Sequence, residues 1–231
     1  MIYVRKLVKR FGTKTVLRGV DFTVERGEFV ALLGANGAGK TTFVRILASL
    51  SRPTLGQVRL AGYSLPGQAA QVRACLGFVS HQPLLYGDLS AEDNLRFYAR
   101  MYGLEKPESR ISEVLDLTGL TSHRREPVRT FSRGMQQRLS LGRAILHDPD
   151  ILLFDEPYTG LDQDAAHMLD DLLGKIMAQG RTIVMTSHDL ARTEGLATRF
   201  DILSRGVISA SARRGDLNGN LLDFYRRALA G

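Results

Sequence analysis

The run Gly34-Ala35-Asn36-Gly37-Ala38-Gly39-Lys40-Thr41-Thr42 sets two glycines five positions apart and follows the second directly with lysine and threonine. That is the pattern of a phosphate-binding loop, and each fixed position has a physical reason. Glycines let backbone N–H groups turn inward around phosphate oxygens, the Lys40 ammonium supplies a point charge to the β and γ phosphates, and the Thr41 hydroxyl is a Mg²⁺ ligand. The loop needs a strand before it and a helix after it. Phe29 to Leu33 is a short apolar run of strand character, and from Lys40 to Leu50 the residues Phe43, Ile46, Leu47 and Leu50 fall at helical spacing. The positive end of that helix adds to the anion site. A dinucleotide-binding reading fits less well, because the glycines run G-x-x-G-x-G and lysine follows. Gly34 through Thr42 are therefore the expected phosphate contacts.

Two further apolar runs end in chemistry. Ile151-Leu152-Leu153-Phe154 delivers Asp155 and Glu156, and Thr182-Ile183-Val184-Met185-Thr186-Ser187 delivers His188. Fully apolar or β-branched runs of this length suit a parallel sheet covered on both faces. At its C-terminal edge Asp155 binds Mg²⁺ directly or through water, and Glu156 accepts a proton from, or orients, an attacking water. His188 reads either as a γ-phosphate and water contact or as a structural strand-end histidine. Gln82, after a strand at Leu76 to Ser80, reads either as a reach toward Mg²⁺ and water or as structural.

The rest of the chain is organised around these elements. Val4 to Val8 and Val16 to Val24 read as strands, so the first 33 residues are β. Gln57 to Leu60 is another strand, followed by a turn-rich stretch from Gly62 to Gly67. Ser90 to Tyr102, Ile111 to Leu117 with Pro107 near its start, and a helix capped by Ser132 form a helical insertion. Met168 to Met177 is helical between the later strands, which makes the second half α/β. With 44% hydrophobic and 24% charged residues in 231 positions, the chain has the balance of a globular protein with one sizeable core. Its apolar runs are far short of a bilayer span, and no signal peptide is expected. Cys75 stands alone and the five histidines are scattered, so neither a disulfide framework nor a metal cluster is expected. The net charge of +7 suits nucleic acid, an anionic membrane surface or a nucleotide site. Between Arg205 and Arg227 the arginines read either as solvated surface or as attraction to a membrane surface.

Taken in order, these features resemble the ABC ATPase family over nearly the whole chain. The deciding run is Phe131-Ser132-Arg133-Gly134-Met135-Gln136-Gln137-Arg138, just upstream of the Asp155-Glu156 strand, where that family carries its L-S-G-G-Q signature. Ser132 and Gly134 match, while Arg133 and Met135 depart. The resemblance implies a P-loop NTPase (RecA-like) α/β core with an N-terminal antiparallel β subdomain and an inserted α-helical subdomain. It sets the nucleotide-binding core at about 1–85 and 150–210, the helical part at 86–149 and a C-terminal helical tail at 211–231. By the same resemblance Phe11 stacks on adenine, Gln82 is the Q-loop glutamine, Asp162 closes the D-loop Gly160-Leu161-Asp162, and His188 is the switch histidine. Ser132, Arg133 and Gly134 then face the partner's nucleotide in a head-to-tail homodimer or pseudo-dimer. Arg133 is either a charge clamp on that nucleotide or a solvent-facing residue.

The implied activity is ATP hydrolysis with ATP and Mg²⁺ as cofactors, on the cytoplasmic face of a membrane, driving a separate permease. No nucleic-acid partner is expected. Leu84, Leu85 and Tyr86 are the expected permease contacts. The runs His81-Gln82-Pro83-Leu84-Leu85-Tyr86 and Asn94-Leu95-Arg96-Phe97-Tyr98 resemble the haem-exporter ATPase of cytochrome c maturation. The alternatives are another export substrate, a soluble non-transport ABC ATPase, and a P-loop kinase outside this family.

Overall fold

The computed structural model describes residues 1–80, 82–217 and 220–230. His81, part of one of the runs above, and Asn218, Gly219 and Gly231, within the expected tail, lie outside the described residues. The chain opens with β1 (Ile2–Phe11), β2 (Lys14–Val24) and β3 (Phe29–Leu33), followed by α1 (Lys40–Leu47). Next come β4 (Leu55–Leu60), β5 (Tyr63–Leu65), α2 (Ala69–Ala74) and β6 (Leu76–Val79). Three helices follow, α3 (Ala91–Met101), α4 (Pro107–Leu117) and α5 (Arg133–Ile145). The chain then returns to alternation: β7 (Ile151–Asp155), α6 (Gln163–Ala178), β8 (Thr182–Ser187), α7 (Leu190–Leu196), β9 (Arg199–Ser204), β10 (Val207–Arg213) and α8 (Leu221–Ala230).

A four-stranded antiparallel sheet is ordered β2-β1-β4-β5, and a six-stranded sheet is ordered β10-β9-β3-β8-β7-β6. The latter is parallel except for β10. Its central strands do not alternate polar and apolar residues, and the packing explains why. Phe29, Ala31 and Leu33 of β3 face one core with Leu152, Phe154, Ile183 and Met185, under α3 to α6 and α8. Val30 and Leu32 face a second core with Ile151, Leu153 and Val184, shared with Phe43, Ile46 and Leu47 of α1 and with the antiparallel sheet. A strand buried on both faces has no polar side to show.

Local chemistry sets the helix starts. Ser90, Ser132, Asp162 and Asp189 each accept a backbone N–H at the start of α3, α5, α6 and α7, and Pro107 occupies the first turn of α4. Three expectations need correction. The helix after the glycine loop ends at Leu47, and Leu50 is outside it and exposed, because Ser49 takes a left-handed φ of 61° and the chain turns back. The stretch from Gly62 to Gly67 contains the strand β5 rather than turns alone, and α2 follows it. The tail is strand through Arg213, since β10 pairs antiparallel with β9, a short 3-10 turn follows at Arg214–Asp216, and α-helix begins at Leu221.

Candidate active site

The tips of β3, β7 and β8 meet at one edge of the parallel sheet. Register puts Leu33 beside Ser187 and Asp155 beside Thr186, so the glycine loop, the two acids and His188 leave the sheet at the same level. This is where open α/β sheets bind ligands. Gly34 must be glycine for a spatial reason: a Cβ there would be driven into the carbonyl oxygen of Leu203 on β9. Gly39, at φ 110°, turns the loop into α1, and a Cβ on it would stand 2.9 Å from a methyl of Leu17.

Lys40 is buried, with its ammonium donating to the Gly34 carbonyl at 2.7 Å and standing 3.6 Å from Glu156 Oε1. The Thr41 hydroxyl donates to Asp155 Oδ1 at 3.0 Å, and the Thr186 hydroxyl donates to the same oxygen at 2.9 Å. Glu156 has a left-handed φ of 53°, a strained choice for a residue with a side chain. Its N–H is held by Thr186 Oγ1 at 3.0 Å and by the Thr186 carbonyl at 3.2 Å. Those bonds fix the kink and aim the carboxylate into the cavity, where Oε2 meets His188 Nδ1 at 2.7 Å. The cavity measures about 660 Å³, and its wall includes Asn36 to Thr42, Glu156, Thr159 and His188. Its wall carries the loop amides and the Lys40 ammonium, with a carboxylate beside an imidazole next to that lysine. Such a cavity binds a polyphosphate and presents an acceptor to a water.

The ABC transporter family profile matches residues 17–159. The chain belongs to the ABC transporter family. It is 33% identical to the linearmycin resistance ATP-binding protein LnrL of Bacillus subtilis over 96% of this chain and 72% of that protein. It is 36% identical to the Nod factor export ATP-binding protein I of Ralstonia nicotianae over 89% of this chain and 65% of that protein. A solved ATP-binding subunit of an ABC transporter superposes with a TM-score of 0.89 at 31% identity, covering 99% of each chain. An ATP-binding cassette solved as a dimer with ADP and Pi superposes with a TM-score of 0.84 at 26% identity, over 93% of this chain and 99% of that one. The fold expected from the sequence, an ABC cassette with a P-loop core, an antiparallel sheet and helical parts, is the fold observed. The chain is an ABC-type ATPase.

Within this ABC cassette the residues expected at the site divide into two groups. Lys40, Thr41, Thr42, Asn36 to Gly39, Glu156 and His188 share the cavity wall, with Asp155 beneath it. Phe11, Gly34, Ala35, Gln82, Ser132, Arg133, Gly134 and Asp162 are not on that wall. Phe11 is exposed at the β1–β2 hairpin, with Lys9 Nζ 4.6 Å from its ring centre. Gln82 is exposed beyond β6. Ser132 accepts the Met135 N–H at 3.2 Å and Asp162 accepts the Ala165 N–H at 2.8 Å, so both are engaged as helix caps. Gly134 lets α5 approach α6, since a Cβ on it would stand 2.8 Å from that of Ala165. Arg133 lies over the backbone of Gly160, where an added Cβ would stand 2.6 Å from its Cζ. The sequence reading missed Lys14, Thr15, Val16, Arg18, Thr159, Arg205 and Gly206 on the wall. Only Arg18, a cation on the predicted strand Val16 to Val24, and Arg205, read there as one of a group of surface arginines, carried even a weak local signal.

Proposed function

We propose that this chain is the ATPase subunit of an ABC exporter, with the site at Gly34–Thr42, Asp155, Glu156 and His188. The observation that supports it best is the placement of Glu156 between Lys40 and His188, one residue after the carboxylate that meets Thr41. In this reading the loop amides and Lys40 hold the β and γ phosphates. The Thr41 hydroxyl and Asp155 carboxylate, hard oxygens meeting at 3.0 Å, would hold Mg²⁺, which supplies charge neutralisation to the phosphates when bound. Glu156 takes the proton of, or orients, the attacking water, and His188 keeps that carboxylate aimed through its 2.7 Å contact.

The missing half of the site comes from a second cassette, a reading supported by the dimeric solved relative and by Ser132 and Gly134 standing off this chain's own cavity. A membrane permease is the proposed load. No helix among the described residues is long and apolar enough to cross a membrane. Beyond β6, Leu84 and Tyr86 are 46% and 50% exposed, and Tyr86 packs edge-on against the exposed Phe97 at 4.9 Å. This apolar patch suits a protein partner. Leu85, expected beside them as a contact, instead packs against the core. Export is favoured by the Nod factor export relative, and the relatives compared give the haem reading no support.

Glu156→Gln tests the site and the direction together. ATP binding persists while phosphate release falls by about 10²- to 10⁴-fold; turnover close to the parent's would refute the assignment. In cells, loss of tolerance to an exported compound supports the exporter reading, whereas loss of c-type cytochromes would return it to haem.

A further inference from the structure

Part of the cavity wall is built by elements with no part in the phosphate-loop motif. Lys14, Thr15, Val16 and Arg18 of β2 line it, joined by Arg205 and Gly206 from the turn between β9 and β10. That turn is locked in place. Leu203 lies against Gly34, Gly206 accepts the Arg18 N–H at 2.8 Å, and a Cβ on Gly206 would be driven into the Val16 carbonyl oxygen. Arg205 and Gly206 have φ values of 47° and 82°, two successive left-handed residues closing a two-residue hairpin. Asn or Gly is the low-cost choice at the first of these positions. Here it carries the longest cationic side chain, on a wall of the nucleotide cavity.

Charge gives the position a purpose. Among the described residues, Lys14, Arg18 and Arg205 have no carboxylate within ion-pair distance, and the one carboxylate on the wall, Glu156, is engaged by Lys40 and His188. This part of the wall therefore carries three uncompensated cations. Lys14 opens β2 paired with Phe11, the residue expected on adenine, so with the γ-phosphate assigned to Glu156 this wall falls to the α-phosphate and ribose between them. We infer that Arg205, assisted by Arg18, is an affinity-determining residue that clasps the α-phosphate and ribose end of the nucleotide. This inference rests on the site assignment proposed above. Since that end is common to ATP and ADP, the clasp favours both alike, unlike a contact to the transferred phosphate.

The test is the affinity of the full chain for ATP and for ADP in Arg205→Asn, because asparagine tolerates the left-handed turn and removes only the cation. Both nucleotides weaken by the same factor, roughly three- to tenfold, with a shallower salt dependence, and Arg205→Lys recovers most of the loss. Unchanged affinity overturns the inference. So does weakening of ATP alone, which would move the contact to the γ-phosphate, and so does a loss that Arg205→Lys fails to recover while the melting temperature falls. Lys40→Ala in the same titration separates the two levels: if it binds nucleotide normally, the site assignment itself fails. If Lys40→Ala loses binding and Arg205→Asn does not, only the clasp fails.

Discussion

Glu156 shows how a single backbone angle makes a functional residue. Its φ of 53° costs conformational energy, and two bonds from Thr186 on the neighbouring strand hold it there. The result is that Asp155 and Glu156, adjacent in sequence, do different things: one is buried under Thr41 and Thr186, the other faces the cavity. His147 is a residue-scale case outside the site. Its ring stacks on Tyr102 at 3.8 Å, Nε2 donates to the Leu76 carbonyl at 3.2 Å, and buried Nδ1 has no partner among the described residues. Burial is the main cause that lowers its pKa from 6.5 to about 4; the cations Arg143 and Arg110 push the same way, and Asp148 and the Leu76 carbonyl oppose them. The sign follows by linkage. Below pH 6.5 the unfolded chain takes up a proton that the folded chain refuses until about pH 4, so this histidine's contribution to stability is present at neutral pH and lost across that window. Melting curves between pH 7.5 and 4.5, at roughly half-unit steps, should therefore fall more steeply for the parent than for His147→Asn. Parallel profiles would refute the linkage.

At the scale of elements, α5 carries an unusual polar stripe. Gln137 Nε2, Ser140 Oγ and Arg143 Nε are buried without partners among the described residues, and the spacing of their residues puts them on one side of the helix. That side faces β6, where Arg143 donates to the Phe78 carbonyl at 2.7 Å and a Cβ on Gly77 would be driven into the Ala144 carbonyl. Arg143 also stacks over Tyr98 of α3, its Cζ 5.3 Å from the ring centre. An unsatisfied buried hydroxyl costs free energy, so Ser140→Ala should stabilise the chain by about 1 kcal/mol, or roughly 2–4 °C in melting temperature. A drop of similar size would show that the hydroxyl is satisfied in solution. The hydrophobic period of α5, with Leu139 and Ile145, was legible in the sequence. The stripe was not, because Gln and Ser at helical spacing look the same whether they meet solvent or a strand edge. The same limit hid β5 and α2, each short and decided by pairing with β4 and by packing of Val72.

For the whole molecule, the cassette's own cavity holds Glu156 and His188, while Ser132 caps a helix away from it. A dimeric site predicts complementation. Ser132→Arg and Lys40→Ala subunits, each inactive alone, should recover ATPase activity when mixed, because one of the two sites in the heterodimer is intact. Melting of the Ser132→Arg chain serves as the control, since losing the cap costs about 1 kcal/mol. No recovery with both chains folded would argue against a shared site. The amino-acid sequence by itself determined the glycine loop, the paired acids and the signature run, since these depend on local backbone freedom and on residues close together in the chain. Tertiary structure alone decided which distant side chains complete the cavity. Parallel register brings Asp155 level with Thr186, and the overshoot of β9 past β3 carries Arg205 to the nucleotide wall and Leu203 against Gly34. Those meetings depend on strand order and register, which are set by how two apolar faces are buried at once and leave no mark on the residues that happen to meet.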